Sequence, residues 1–144
     1  MKTLIATTDF SPSSINAVNY AADMAKVLNA RLILFNAVPV PVAVSEIPVP
    51  EATLEDMVTE AGRELNVLKD KLVLRTTGKV DISTEVLMGN FADKIDEIAD
   101  KCNPFAIIMG IAQGKPIERF LMGSNTFYAI SKNLNPILII PEKA

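Results

Sequence analysis

The sequence predicts a three-layer α/β domain built on a five-stranded parallel sheet that is doubly wound, with helices on both faces. Short apolar runs of strand length alternate along the chain with segments whose apolar residues recur at helical spacing. Strands separated in this way by helices require crossover connections, which make the strands parallel. The 144 residues are the length of one domain, so we expect a single domain over residues 1–144.

The first strand and helix are predicted from local signals at their ends. The apolar run Leu4–Thr8 is followed by Ser11-Pro12, which is typical of an N-cap with proline at the first helical position. Asn29 can end that helix, and Arg31–Phe35 is the second strand. The apolar stripe of the helix consists of Ile15, Val18, Ala22, Ala25 and Leu28.

The middle of the chain contains a proline-rich loop and a long helix. The loop, residues 39–50, is apolar and contains four prolines, which favour an extended and stiff chain. Two interpretations of the loop stay open. Either it has a function, as a lid over a ligand cleft or as a segment buried against a partner, or it only packs on the protein's own surface. Thr53 is the predicted cap of the long helix, and Thr76-Thr77-Gly78 is its predicted end. The stripe of that helix is Met57, Ala61, Leu65, Leu68 and Leu72.

The second half of the chain adds three strands and two helices. Val80–Val86 alternates apolar and polar residues, as an edge strand with one partly wet face does. Gly89-Asn90 is interpreted as the turn and cap of the next helix. The remaining elements are a helix carrying Phe91, Ile95, Ile98 and Ala99, a strand at Phe105–Met109, a helix from Ser124 to about Asn133, and a strand at Pro136–Pro141.

Composition and charge exclude several classes of function. A formal net charge of −3 predicts no basic surface for nucleic acid or an anionic membrane. Histidine is absent, which removes the Ser-His-Asp triad and most zinc sites, and we predict no catalytic residue and no metal ligand. Apolar runs are too short for a signal peptide or a membrane span, and Cys102 is the only cysteine, so we expect a cytoplasmic protein.

Ligands of open parallel sheets bind at the carboxyl ends of the strands, so the loops that follow each strand carry the functional information. The most informative of them is residues 110–124, which joins a strand to a helix. Its glycines let backbone amides approach a phosphate, Ser124 begins the helix, and Lys115 and Arg119 offer positive charge. The alternative is that Gly123-Ser124 is only a turn and an N-cap, and spacing alone leaves both interpretations open.

Three stretches of the sequence resemble the universal stress protein family. They are residues 4–12, the run Ile107–Gly110 followed by Gly123-Ser124, and the strand Pro136–Pro141. The resemblance extends over essentially the whole chain and is weakest at the proline-rich loop and the long helix. It implies the strand order 3-2-1-4-5 and an adenine-nucleotide site at the carboxyl ends of strands 1 and 4. ATP would be the cofactor, accompanied by Mg²⁺.

The phosphate-binding motif of that family is only partly present. Nucleotide-binding members carry glycine, two residues, glycine, nine residues, glycine, and then serine or threonine. Here Gly110 and Gly123-Ser124 keep the outer spacing, Gln113 stands at the middle glycine position, and Gly114 follows one residue late. Either the glutamine side chain obstructs the site, or Gly114 supplies the freedom that the loop needs. The family contains members that bind ATP and members that do not.

The resemblance implies a role for each position of the site. Asp9 would accept a hydrogen bond from the adenine amino group, Val38 would contact adenine through its backbone, and Met109 and Gly110 would border the ribose. The alternatives are that Asp9 is a turn residue, that Val38 ends a strand and that Met109 is core. The predicted cofactor-binding residues are Thr7, Thr8, Asp9, Val38, Met109, Gly110, Gln113, Gly114, Gly123, Ser124 and Asn125.

Three functions are weighed on this basis. The first is a regulatory module that binds an adenine nucleotide, and the second is a dimeric stress-response or interaction protein that binds none. The third is an enzyme, at most a slow ATPase, since the chain has no P-loop motif. We also expect a homodimer that pairs through the last strand, Ile137–Ile140, because it is apolar and lies at a predicted sheet edge. The resemblance implies the same interface.

Overall fold

The predicted sheet and its strand order are confirmed. The computed structural model describes residues 1–40, 50–111 and 135–142, with only the backbone of residues 51 and 52. The strands are β1 (Thr3–Thr7), β2 (Arg31–Val38), β3 (Ile82–Met88), β4 (Ala106–Ile111) and β5 (Ile137–Pro141), and the helices are α1 (Pro12–Leu28), α2 (Glu51–Arg75) and α3 (Phe91–Cys102). All pairs are parallel, in the order β3-β2-β1-β4-β5.

The ends of all five strands differ from the prediction by one to three residues, and β2 and β3 show the reason. β2 continues past Phe35 to Val38, and β3 begins at Ile82 and ends at Met88, two residues later than expected at each end. The two strands pair from Leu32 opposite Ile82 to Val38 opposite Met88. Each added residue extends the ladder of backbone hydrogen bonds between β2 and β3. The pairing of the two strands therefore determines where they end, and the local sequence does not reveal that pairing.

Helix α1 has the ends that the sequence predicts. The Ser14 backbone N–H donates to the Ser11 hydroxyl at 3.3 Å, and Pro12 occupies the first helical position. Asn29 ends the helix in the left-handed conformation, with φ at 53°. The predicted apolar stripe faces the sheet, with its alanines and Val18 fully buried.

Helix α2 begins earlier than predicted, so the assignment of Thr53 as its cap is wrong. The helix starts at Glu51, and the Pro50 carbonyl accepts hydrogen bonds from the Thr53 and Leu54 amides at 3.0 and 3.3 Å. A backbone carbonyl thus begins the helical ladder without a side-chain cap. The predicted end is confirmed: the buried Thr76 follows the last turn and donates its hydroxyl to the Leu72 carbonyl at 2.8 Å.

The side chains form two cores, one on each face of the sheet, which makes the three layers. Leu4 and Ala6 of β1 face α1 and α2, where Leu65 and Leu72 of α2 are buried. Ile5, between them in sequence, faces α3 with Phe35, Ile107 and the buried residues of that helix. This alternation along β1 is what a strand covered on both faces requires.

The two edges of the sheet are β3 and β5. β3 is only partly buried, as predicted from its alternating pattern. β5 has a strand neighbour on one side only within the described part of the sheet, and Leu138 is exposed there. The predicted fourth helix, residues 124–133, lies outside the described residues. Among the helices in the described ranges, none is long and apolar enough to cross a membrane.

The ion pair between α1 and α2 predicts a pH-dependent contribution to stability. Arg75 donates from Nε and one terminal nitrogen to the two Asp23 carboxylate oxygens, both at 2.9 Å. These hydrogen bonds hold the pKa of Asp23 below its ordinary value. A lowered folded-state pKa contributes stability that is present above the unfolded pKa, near 3.9, and is lost as pH falls through the folded value.

Asp23→Asn should therefore lower the free energy of unfolding near neutral pH by about 0.5 kcal/mol, since both side chains are half exposed and solvent screens the pair. The deficit should vanish as the solution is acidified below the ordinary aspartate pKa. Urea denaturation at several pH values measures it, with the exposed Asp100→Asn as control. A deficit that persists at the acid end would contradict this account.

Candidate functional site

A cleft of about 810 Å³ opens at the carboxyl ends of β1, β2 and β4. It lies where the strand order reverses: the chain leaves β1 for β2 on one side, and β4 pairs with β1 on the other. This is the point at which open parallel sheets bind their ligands, and the volume is in the range of ligand clefts. The fold therefore supplies a candidate site without any reference to a motif.

Two surfaces of different chemistry line the cleft. On the side of α1, the loop after β1 and the first helical turn contribute hydroxyl groups, and we call Thr8, Ser11, Ser13 and Ser14 the hydroxyl surface. On the side of α3 lie Ala37, Phe91 and Met109, which belong to the core beneath that helix, and we call them the apolar surface. A ligand in this cleft meets polar groups on one side and carbon on the other.

The hydroxyl surface is held by a compact set of hydrogen bonds around Thr8. Its hydroxyl lies 2.8 Å from that of Ser14 and accepts the Phe10 backbone N–H at 2.9 Å. Its carbonyl accepts the Asn36 side-chain amide at 2.8 Å. Phe10 has a φ of 67°, a left-handed conformation that is uncommon for a residue with a side chain. The Thr8 hydrogen bonds stabilise this turn, so Thr8 has a structural role.

Asp9 is the only charged residue among the described residues that line the cleft. One carboxylate oxygen accepts the Ser11 backbone N–H at 3.0 Å. Partial burial alone would raise the pKa of Asp9, but hydrogen bonds from Ser11 and Ser14 outweigh it and hold the pKa below its ordinary value. Asp9 therefore has the turn role before α1 that was predicted as the alternative, and its contact with adenine stays a prediction. An ionised carboxylate here can only accept hydrogen bonds.

Thr7 is the second polar group beneath the cleft. Its side chain is 6% exposed, at the carboxyl end of β1 and on the face of the sheet that α3 covers. Within the described part of the chain, no residue forms a hydrogen bond with its hydroxyl, which lines the cleft. None of the buried side-chain oxygens in the described ranges lacks a hydrogen-bond partner, so the Thr7 hydroxyl is not fully enclosed and can donate to and accept from a ligand in the cleft.

Gly110 has a packing role that the motif does not reveal. A Cβ at this position would lie 2.7 Å from the Ser13 carbonyl carbon and 3.1 Å from the Ser14 Cα. The first turn of α1 therefore packs directly on the backbone of β4. The fold needs glycine here whether or not a ligand binds, and Gly110 by itself is no evidence of a phosphate site.

The remaining predicted site residues fall into two groups. Val38 is buried and does not line the cleft; its carbonyl accepts the Gly89 backbone N–H at 2.8 Å, while Pro39 and Val40 line the cleft beside it. Met109 lines the cleft as part of the apolar surface. The positions that fall outside the described residues are Gln113, Gly114, Gly123, Ser124 and Asn125, together with most of the proline-rich loop.

Sequence reasoning missed several residues that line the cleft, among them Asn36, Ser13 and Phe91. A signal for the first two was available, because Asn36 follows an apolar strand and Ser13 stands in a run of hydroxyls after β1. Phe91 carried no such signal, since it fits the apolar stripe of α3. In the described ranges, no cluster of acidic and cysteine side chains could hold a metal ion. Burial raises the pKa of the Cys102 thiol, which lies at the other end of α3.

Comparison with known proteins identifies the family. A model of the universal stress protein family matches residues 1–141. The chain belongs to this family. A universal stress protein of Methanocaldococcus jannaschii is 29% identical over 143 residues, which cover 98% of this chain and 82% of that protein.

Solved universal stress proteins share the fold. One, solved in complex with cAMP, has 22% identity and a TM-score of 0.67, and the match covers 96% of each chain. Another, from Arabidopsis thaliana and solved with AMP bound, has 13% identity and a TM-score of 0.64, and the match covers 100% of this chain and 94% of that one. At these identities the likeness supports the architecture of the sheet and helices.

Substitutions of two glycines separate packing from helix propensity. Gly110→Ala should lower the free energy of unfolding by about 2–3 kcal/mol, because the new methyl group meets helix backbone that cannot rotate away. Gly62→Ala, inside α2 with nothing within 4 Å of the new methyl group, should raise it by about 0.5–1 kcal/mol. Urea denaturation measures both. A Gly110→Ala protein as stable as the wild type would contradict the packing role.

Proposed function

We propose that this universal stress protein is a cytoplasmic regulatory module that binds an adenine nucleotide in the cleft at the carboxyl ends of β1 and β4. The observation that carries the proposal is that an ionised Asp9 and Thr7 line one cleft, at the point where the strand order reverses. The family members solved with cAMP and AMP support it, because they share this fold.

The chemistry of the cleft suits the nucleoside part of such a ligand. The amino group of adenine donates hydrogen bonds, which the Asp9 carboxylate accepts, and Thr7 can both donate and accept. The phosphates would extend toward the loop that follows Gly110, for which the sequence predicts a helix start at Ser124. Mg²⁺ would enter with a triphosphate rather than through protein ligands. Whether Gln113 permits ATP or only ligands with fewer phosphates is decided by titration.

Calorimetry tests the proposal with AMP, cAMP and ATP with Mg²⁺, after extraction of any nucleotide that copurifies. We expect binding by the wild type, and about 10- to 100-fold weaker binding by Asp9→Asn, since a hydrogen bond to a charged group is lost. The asparagine oxygen can still accept the Ser11 N–H, so the turn is kept.

Thermal unfolding without ligand is the control. Asp9→Asn should be folded, with a melting temperature only slightly below that of the wild type, because the ionised carboxylate that Ser11 and Ser14 stabilise is lost. Nucleotide bound to the native state must raise that temperature. The proposal would be overturned if no nucleotide is extracted from the purified protein, calorimetry detects no binding, and none of the three nucleotides changes the melting temperature.

The second candidate function is a dimeric interaction protein that binds no nucleotide. The packing role of Gly110 favours it, because the first glycine of the motif then requires no ligand. The exposed Leu138 on the edge strand β5 supports a homodimer that pairs through Ile137–Ile140. Such a dimer is compatible with either function.

Light scattering tests the dimer. Leu138→Lys should shift the protein toward a monomer, because a charge would be buried in the interface. Leu74→Lys, at a position on α2 that is 80% exposed, is the matched control and should leave the mass unchanged. A wild type that is monomeric at micromolar concentrations would contradict the interface.

A further inference from the structure

We propose that the aromatic ring of Phe91 stacks on the base of the bound nucleotide. This contact makes the cleft selective for ligands that contain a planar aromatic ring. This inference rests on the proposed function and names a specificity-determining residue within it. Phe91 is the first residue of α3, and its side chain lines the cleft as part of the apolar surface. Hydrogen bonds of the neighbouring residues and packing against the core hold it there.

The backbone before Phe91 is tied to the end of β2. The Gly89 backbone N–H donates to the Val38 carbonyl at 2.8 Å. The Asn90 side chain accepts the Ala92 backbone N–H at 2.8 Å and caps α3. These two hydrogen bonds determine where the helix begins, and hence where the aromatic ring of its first residue lies.

The ring of Phe91 is supported from the core. Its centroid lies 6.0 Å from that of Phe35, with the planes at 38°, and Phe35 is fully buried. Phe91 itself is only partly buried and packs against the same core cluster. A supported ring that still borders a cleft is a rigid surface on which a flat ligand can stack at little cost in side-chain entropy.

The opposite side of the cleft completes the chemistry. Asp9 and the hydroxyl surface belong to α1 and its loop, on the other face of the sheet from α3. A ligand with an apolar aromatic face and a hydrogen-bonding edge satisfies both sides at once. A purine base has this combination, whereas a sugar phosphate without a base does not use the apolar surface.

The alternative is that Phe91 is only a core residue whose edge happens to reach the cleft. Phe91→Leu keeps much of the apolar volume and removes the aromatic face. Phe91→Trp keeps an aromatic face and introduces the only tryptophan of the chain, whose emission then reports on the cleft. Phe105→Trp is the matched control, because Phe105 is 44% exposed and precedes β4 at the opposite end of the sheet from the cleft.

The experiment titrates wild type and variants with AMP and with ribose 5-phosphate, a probe that lacks the base. We expect Phe91→Leu to weaken AMP binding about 10-fold or more, as removal of a stacking partner does, and to leave ribose 5-phosphate binding unchanged. Phe91→Trp should keep AMP affinity within about 3-fold, and AMP should quench its emission but not that of Phe105→Trp.

Equal AMP affinities for wild type and Phe91→Leu would overturn the inference while leaving the proposed function in place. If Phe91→Leu does not fold, Phe91→Trp provides the test. The inference is then overturned if saturating AMP leaves the tryptophan emission of that variant unchanged. A wild type that binds neither AMP, cAMP nor ATP refutes the proposed function itself, and the inference falls with it.

Discussion

The packing of the first turn of α1 directly on the backbone of β4 is the constraint on which the site depends. Glycine at position 110 lets the Ser13 backbone come within the distance that a side chain would occupy. Because the helix begins there, the Ser11 N–H is in place to bind the Asp9 carboxylate. A single close approach thus determines the position of the helix, the hydroxyl surface and the charge at the mouth of the cleft.

The turn between β1 and α1 is held by hydrogen bonds within the protein itself. Phe10 is held in a left-handed conformation by the hydrogen bonds around Thr8, and Asn36 links that turn to the end of β2. A site formed in this way loses little conformational entropy on binding. The affinity of a ligand is then set by the contacts that it makes itself.

Local sequence signals allowed the fold to be predicted. They failed where residues far apart in sequence determine the local structure. Ser11-Pro12 and Asn29 mark the ends of α1 because capping involves residues a few positions apart. The start of α2 was misassigned to Thr53 because a backbone carbonyl, which every residue has, begins that helix. The packing role of Gly110 and the exposure of Phe91 to the cleft depend on elements far apart in sequence, so neither could be predicted.

The low pKa of Asp9 makes the described lining of the cleft insensitive to pH near neutrality. Histidine is the side chain whose ordinary pKa lies between about pH 5 and pH 8, and the chain has none. Asp9, the one charge in the described lining, stays ionised throughout that interval. Moderate acidification therefore leaves the charge of this lining unchanged, so a pH change within the interval does not switch the electrostatics of the described part of the cleft.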